Sequence, residues 1–338
     1  MKVLVTGGCG FIGSHMVRQL LADGWQVTNL DNLTYASNPA NLASVVDDPG
    51  YRFVHGDICD APLVKELVAG QDLVINFAAE THVDRSLLGP AAFVRANVEG
   101  VVCLLEAIRA DGHAELIQMS TDEVFGSVPD PEESAEDRPF RPSSPYSASK
   151  AAAELQVAAY RTTYGLPVTV LRGCNVYGPN QHLEKFIPLF AARSMRREPL
   201  PLYGDGLQQR EWIHVSDLVH AISMVIRAGS GTRTGAIHIG SGERRTNLEI
   251  ARQICDLNER PYDLIARVED RAGHDRRYAL DSSRLRSLGW APEVPFERGL
   301  ARTVAWYVEN SSRDDPAFAS YLREQYEVRL AGAANAAK

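Results

Sequence analysis

Tyr146 and Lys150 stand four residues apart in Pro145-Tyr146-Ser147-Ala148-Ser149-Lys150, which opens a run of strong helix formers, Ala151 to Leu155. On a helix this spacing puts both side chains on one face. A nearby ammonium lowers the pKa of a phenol, and the phenolate can then take a hydroxyl proton while hydride leaves the same carbon. Upstream, Ser120-Thr121-Asp122-Glu123 follows an apolar run. Two carboxylates close together push their pKa values apart, so one can act as general base while the other protonates a leaving hydroxyl. A dehydration needs that pair. Taken singly, each signal has a plainer reading: Tyr-x-x-x-Lys arises often by chance, and the acids could cap the next turn.

A second group of residues points to a cofactor. The first apolar run leads into Thr6-Gly7-Gly8-Cys9-Gly10-Phe11-Ile12-Gly13-Ser14, with Gly7, Gly10 and Gly13 spaced G-x-x-G-x-x-G ahead of a helical pattern. A tight turn, room for backbone to approach a pyrophosphate and a helix N-terminus meet there. Eighteen residues after Gly13 comes Asp31. A carboxylate at that place accepts from both hydroxyls of an adenosine ribose and repels a 2′-phosphate, and its neighbour Asn32 is neutral. NAD is therefore expected rather than NADP. Asp57 and Ile58, after the third strand, are placed to meet the adenine.

The elements that must position these residues are legible as short apolar runs alternating with helical patterns. Strands are expected at Lys2 to Thr6, Gln26 to Leu30, Tyr51 to His55, Leu73 to Ala78, Glu115 to Ser120 and Val168 to Arg172, with helices at Phe11–Ala22, Ala61–Val68 and Ala92–Arg109 between them. Strands without polar alternation, separated by helices, imply a parallel sheet covered on both faces, a doubly wound α/β fold. After Gly178-Pro179, proline and glycine become frequent, and helical runs follow near Asp217–Ile226, Leu248–Asn258 and Phe296–Glu309. The expected division is a cofactor domain at 1–178 with 211–241 returning to it. A smaller substrate lobe takes 179–210 and 242–330, and a frayed alanine-rich tail takes 331–338.

The 338 residues carry 35 Lys plus Arg against 43 Asp plus Glu, a net charge of -8. An acidic chain without a long basic run is a poor partner for nucleic acid or an anionic membrane. Five scattered cysteines without a C-x-x-C pair argue against a disulfide framework and a zinc site, and His82, His214 and His274 lack ligand-like partners at metal spacing. No stretch approaches the roughly 18 apolar residues of a membrane span. A cytoplasmic protein is expected.

Together, the glycine loop, Asp31, Tyr146 and Lys150 resemble the extended short-chain dehydrogenase/reductase family, with its Rossmann-type sheet and smaller C-terminal substrate-binding lobe. Ser120-Thr121-Asp122-Glu123-Val124-Phe125-Gly126 narrows the likeness to the nucleotide-sugar 4,6-dehydratases, closest to those acting on dTDP-glucose. The resemblance runs from Lys2 to about Asn310. Asp31-Asn32-Leu33-Thr34-Tyr35-Ala36 is similar to the family's cofactor segment, and Ala78-Ala79-Glu80-Thr81-His82-Val83-Asp84-Arg85-Ser86 to its loop beside the nicotinamide. By the same resemblance Phe77, Asn97 and Ser120 join the cofactor set. Glu184-Lys185-Phe186-Ile187-Pro188, Leu200 to Gly206, Arg210-Glu211-Trp212 and Asp270 to Asp275 look like the nucleotide-diphosphate grip. A diphosphate suits Lys185, Arg210 and Arg271, and a pyrimidine suits the Pro201-Leu202-Tyr203 wall. The resemblance adds His82, Ser86, Asn175, Asn247 and His274 to the substrate set, assigns C4 oxidation to Tyr146, Lys150 and Thr121, and gives Glu123 and Asp122 the base and acid roles of the elimination. It also implies a homodimer paired through Ala92–Arg109 and Ala151–Tyr164.

The chain departs from the pattern in places. The family usually shows Ser-Asn-Asn-Tyr-Gly-Pro where Cys174-Asn175-Val176-Tyr177-Gly178-Pro179 stands, so Val176 replaces an asparagine that contacts cofactor. Related epimerases and decarboxylases of UDP-sugars often carry Asn-Val-Tyr-Gly. Asn180-Gln181-His182-Leu183 also differ where the sugar should lie, Phe125 replaces the usual Tyr, and Cys9 an Ala. Alternatives are therefore a UDP-sugar 4-epimerase or UDP-glucuronate decarboxylase and, more remotely, a non-catalytic NAD or nucleotide-sugar binding protein. Nucleotide, sugar and pathway stay open.

Overall fold

The computed structural model describes residues 1–229 and 235–310; the expected tail, 331–338, and the end of the expected substrate lobe, 311–330, lie outside the described residues. The first half runs β1 (Lys2–Thr6), α1 (Phe11–Ala22), β2 (Gln26–Asp31), β3 (Tyr51–His55), α2 (Ala61–Val68), β4 (Leu73–Asn76), α3 (Val83–Leu88), α4 (Pro90–Val94), α5 (Gly100–Asp111), β5 (Glu115–Thr121), α6 (Pro145–Tyr164) and β6 (Val168–Gly173). The second half follows with β7 (Asn175–Tyr177), α7 (Phe186–Met195), β8 (Leu200–Tyr203), β9 (Gln209–His214), α8 (Val215–Arg227), β10 (Gly235–Ile239), β11 (Arg244–Thr246), α9 (Asn247–Leu257), β12 (Ile265–Val268), α10 (Ser283–Ser287) and α11 (Phe296–Asn310).

Seven strands form one sheet in the order β10-β6-β5-β4-β1-β2-β3, every neighbouring pair parallel. Such a sheet must bury both faces. One is covered by Met16, Val17 and Leu20 of α1 with Leu218, Ile222 and Val225 of α8. The other is covered by Val64 and Leu67 of α2, Leu104, Leu105 and Ile108 of α5, and Val157 of α6. The strand order reverses between β1 and β4, which opens a crevice beyond their carboxyl ends. This is the doubly wound, Rossmann-type sheet expected from the alternation.

Three local differences have physical reasons. The seventh strand, β10, escaped the sequence reading because the buried His238 interrupts its apolar run; its ring is satisfied by Arg172 Nη1 at 3.1 Å and the Asp281 carbonyl at 3.1 Å. The helix expected over Ala92–Arg109 is two helices, α4 and α5, joined by a π turn at Arg95–Glu99. Such turns re-aim side chains near functional sites, and this one carries Asn97. Helix α7 was read only as ligand-gripping residues.

The second lobe has its own core, in which Phe190 of α7, Trp212 of β9, Ile254 of α9 and Leu300 of α11 meet. Two small sheets frame it, β11-β9-β7 and β12-β8. Among the described residues no helix is long and apolar enough to cross a membrane.

Candidate active site

Beyond the carboxyl ends of the strands lies a cavity of about 490 Å³. Its first wall is the turn between β1 and α1. Gly7 has φ +70°, where a Cβ would sit 2.7 Å from the Ala78 nitrogen, and a Cβ on Gly13 would sit 2.2 Å from the Gly7 carbonyl oxygen. The loop can close on itself only because both are glycine. Helix α1 starts at Gly10 without a side-chain cap, so the N–H groups of its first turn, at Phe11 and Ile12, are available to an anion. Gly13→Ala is expected to force this turn open, lowering NAD affinity at least ~10-fold and stability by about 1–3 kcal/mol; titration calorimetry and a thermal melt check both.

Asp31, at the end of β2, is buried. One oxygen accepts from the Cys9 nitrogen at 2.8 Å; the other accepts from the Leu33 nitrogen at 2.8 Å and Ser37 Oγ at 2.8 Å. These bonds fill most of the roughly four lone-pair sites of a carboxylate. A ribose hydroxyl must share Asp31 with Ser37 or displace it.

The structure brings Gly7, Gly10, Phe11, Ile12, Gly13, Asp31, Asn32, Thr34, Asp57, Ile58, Phe77, Ala78, Ala79, Glu80, Thr81, Ser120, Tyr146 and Lys150 to the cavity wall. It leaves out two residues expected there. Leu33 is partly exposed with φ 50° and offers only its N–H to Asp31. Asn97 lies behind the wall, where it holds the Glu80 backbone at both ends, 2.9 and 3.0 Å, and Ser149 Oγ at 2.8 Å. It positions the wall rather than forming it. Ser37, Arg95, Gln181 and His182 also line the cavity and were missed, since no local motif marks them; only the departure of Gln181 and His182 from the family pattern was a signal.

The chemistry-bearing groups meet at the end of β5. Thr121 donates to Asp122 Oδ1 at 3.1 Å and accepts from the Glu123 nitrogen at 3.2 Å, which fixes both acids on one 3₁₀ turn. Among the described residues Asp122 Oδ2 is buried without a partner. Burial, then Glu123 and Glu211, push the Asp122 carboxyl well above the usual carboxylate range. Burial raises Glu123 as well, but Arg271, Arg210 and Lys185 oppose the rise. The two acids are thus unequal, with Asp122 the more strongly held in its protonated form.

Helix α6 supplies the tyrosine and lysine from a well-defined start. Ser144 and Ser147 form a reciprocal capping box, and Pro145 occupies the first turn. One expectation changes here. Burial, then the charges of Glu123 and Asp122, push the Tyr146 phenol upward, and the Thr121 hydroxyl opposes them. Lys150 Nζ instead donates to the Met119 carbonyl at 2.7 Å. Burial lowers the ammonium to about 8, with Glu154 resisting. The four-residue spacing puts Lys150 on the right face, but it does not by itself make a phenolate.

Among the substrate candidates, Thr121, Asn175 and Lys185 line the cavity. Asn175 Oδ1 is buried without a partner among the described residues, and Lys185 Nζ donates to the Thr81 carbonyl at 2.9 Å. Arg210 and Arg271 lie outside the wall but within electrostatic reach of Glu123. Arg210 is braced by the Asp275 carbonyl at 2.9 Å and lies over the Tyr278 ring. Tyr203 donates to Asp84 at 3.2 Å and meets His274 edge-on, 6.0 Å between centroids. His82 is buried, and burial lowers it to about 4, so the ring is neutral.

The remaining candidates stand off the cavity wall, against protein neighbours. Ser86 Oγ donates to the Val83 carbonyl, Phe186 stacks 4.3 Å from Phe190, Ile187 and Pro201 are buried, and the Asn247 nitrogen donates to the Gln208 carbonyl. Among the described residues no group of three His, Cys, Asp or Glu can hold a metal ion, and all five cysteines are unpaired.

Comparison with known proteins agrees with this geometry. The GDP-mannose 4,6 dehydratase family matches residues 4–303. A dTDP-glucose 4,6-dehydratase from Streptomyces niveus is 47% identical over 326 residues, covering 94% of this chain and 95% of that protein. One from Streptomyces griseus is 49% identical over 320 residues, covering 93% and 96%. The crystal structure of DesIV, a dTDP-glucose 4,6-dehydratase from Streptomyces venezuelae with NAD bound, superposes with a TM-score of 0.90 at 48% identity, covering 94% of this chain and 99% of that one. With glycine loop, tyrosine, lysine and acid pair all at one sheet edge, the chain belongs to the GDP-mannose 4,6 dehydratase family, among the nucleotide-sugar 4,6-dehydratases of the extended short-chain dehydrogenase/reductases.

Proposed function

We propose that this chain uses NAD as a recycled catalyst to convert dTDP-glucose to its 4-keto-6-deoxy product with loss of water. The observation that carries this reading is the unequal Asp122-Glu123 pair, Asp122 buried and Glu123 half-buried, on the cavity wall with Tyr146. The residues fit the cofactor: an uncapped helix start meets a diphosphate, and Asp31 stands where a ribose would lie. When bound, NAD supplies the acceptor for the C4 hydride and the donor that returns it to C6. Tyr146, acting from its phenolate form, takes the proton of the 4-hydroxyl, Thr121 holds that oxygen, and the positive charge of Lys150 offsets the upward pull of burial and Glu123 on the phenol. The new ketone acidifies C5–H, and Glu123, the less strongly protonated acid, removes that proton. Asp122 protonates the departing 6-hydroxyl. Glu123 gives a proton back to C5 as the hydride goes to C6, and the proton taken by Tyr146 passes through solvent to Asp122, which restores every group to its starting form.

Among the described residues, those of 1–178 and 211–241 are proposed as the cofactor domain and those of 179–210 and 242–330 as the nucleotide-sugar lobe, whose core Tyr177 of β7 and Trp212 of β9 enter from the former. Lys185, Arg210 and Arg271 are proposed to hold the diphosphate, with His82, Ser86, Asn175, Phe186, Ile187, Pro201, Tyr203, Asn247 and His274 shaping the rest of that subsite. Val94 of α4 and Leu155 of α6 are exposed apolar residues, which supports a homodimer paired through Ala92–Arg109 and Ala151–Tyr164; the cytoplasm is the proposed location. The competing reading, a UDP-sugar epimerase or decarboxylase, draws on Val176, which lines the cavity. Incubation with dTDP-glucose, UDP-glucose and UDP-glucuronate separately, read by mass spectrometry, decides between them. Loss of one water from dTDP-glucose without net NADH is expected. A stereoisomer of unchanged mass, or carbon dioxide lost from the glucuronate, would overturn the dehydratase reading.

A further inference from the structure

Tyr146, Lys150 and Glu154 follow at four-residue intervals on α6, so they stand in a column on one helix face. Glu154 is buried at its foot. Its carboxylate accepts from Ser120 Oγ at 2.5 Å, and Arg172 of β6 clamps it through Nε at 2.9 Å and Nη2 at 2.7 Å. Arg172 is itself fixed: Nη1 donates to the Glu136 carbonyl at 2.7 Å, and the guanidinium lies 4.9 and 5.2 Å from the ring centroids of Phe125 and Phe140. The dehydration steps use neither Glu154 nor Arg172. A buried ion pair is weak evidence for stability, because apolar packing often serves as well. Yet Glu154 touches Ser120 on the cavity wall and lies one turn below Lys150.

We propose that Glu154, clamped by Arg172, is a positioning residue that fixes the Ser120 hydroxyl and sets the charge of Lys150 from behind the site. This rests on Lys150 being part of the catalytic apparatus. Glu154 is the charge that resists the downward pull of burial on the lysine. The other ionisable groups around the column are accounted for. Asp122 and Glu123, on the turn after β5, act on Tyr146. His238 of β10, beside Arg172, is driven to about 4 by burial and then by Arg172, and stays neutral. Glu136 is engaged by Arg284 at 3.0 Å.

The chain has five lysines, few enough to titrate individually by NMR of the ¹³C-labelled ε-methylenes in the full-length protein, with Lys150 assigned through Lys150→Met. Glu154→Gln is expected to move the Lys150 titration down by about one pH unit or more. Arg172→Met, which leaves the carboxylate unopposed, is expected to move it up. A merely structural pair would move neither, or both in the same direction, and either result overturns the proposal. Should the single variants not fold, Glu154→Gln/Arg172→Met removes both charges together. Glu154 shares the helix face with Lys150 and Arg172 stands behind its carboxylate, so the nearer charge sets the sign: a smaller downward shift is expected there, and an unchanged titration contradicts the idea. The readout needs no substrate, so a wild-type chain inactive on every sugar nucleotide would sink the dehydratase reading without deciding this one.

Discussion

Glu123→Gln is expected to stop the reaction between its two halves. The amide keeps the size of the side chain and its place on the 3₁₀ turn, since the backbone bond from the Glu123 nitrogen to Thr121 Oγ1 at 3.2 Å does not involve the carboxylate. It cannot accept the C5 proton. Tyr146, Thr121 and Lys150 are untouched, so oxidation at C4 proceeds and the product of that step waits. Turnover should fall by about 10²–10⁴-fold, the usual worth of a positioned general base. In a single-turnover mixture the absorbance of reduced nicotinamide should rise toward one equivalent and persist. Asp122→Asn should stall at the same point, because the leaving hydroxyl then lacks its acid. Turnover near wild type in both variants would remove the acid pair from the mechanism.

Tyr146→Phe is expected to fail earlier. Removing the hydroxyl takes away the base that must accept the 4-hydroxyl proton before hydride can leave. Neither reduced nicotinamide nor dehydrated product should form, and the rate should again fall by about 10²–10⁴-fold. The fold should persist, because the ring keeps its edge-on contact with Phe93, 6.3 Å between centroids. A melting temperature near that of wild type, with NAD binding intact, would separate this loss from unfolding. Read together, the variants place Tyr146 before the absorbance signal and Glu123 after it.

How far the sequence disclosed these features depended on the range of the interactions involved. The turn at Gly7 to Gly13, the strand ending at Asp31 and the helix carrying Tyr146 and Lys150 are set by neighbours in the chain, and they were legible. The inequality of Asp122 and Glu123 was expected from their adjacency, but its cause was not legible, because it arises from burial and from Arg210, Arg271 and Lys185, which lie far away in sequence. The same holds for the phenol of Tyr146, whose neighbour on the helix directs its ammonium to a β5 carbonyl instead. Strand β10 was hidden by one buried histidine, and the π turn at Arg95–Glu99 by the helical pattern on both sides of it. Arg172 and Glu154 carry no motif, and only the packed fold puts them under Ser120 and Lys150.

The most direct test follows the hydrogen that leaves C4. Incubation of the wild-type protein with dTDP-glucose deuterated at C4 should give a product lighter by one water that retains the deuterium, now on C6, while added NAD remains oxidised. A product of unchanged mass, or a dehydrated product that has exchanged its label with solvent, would contradict the hydride cycle proposed for this site.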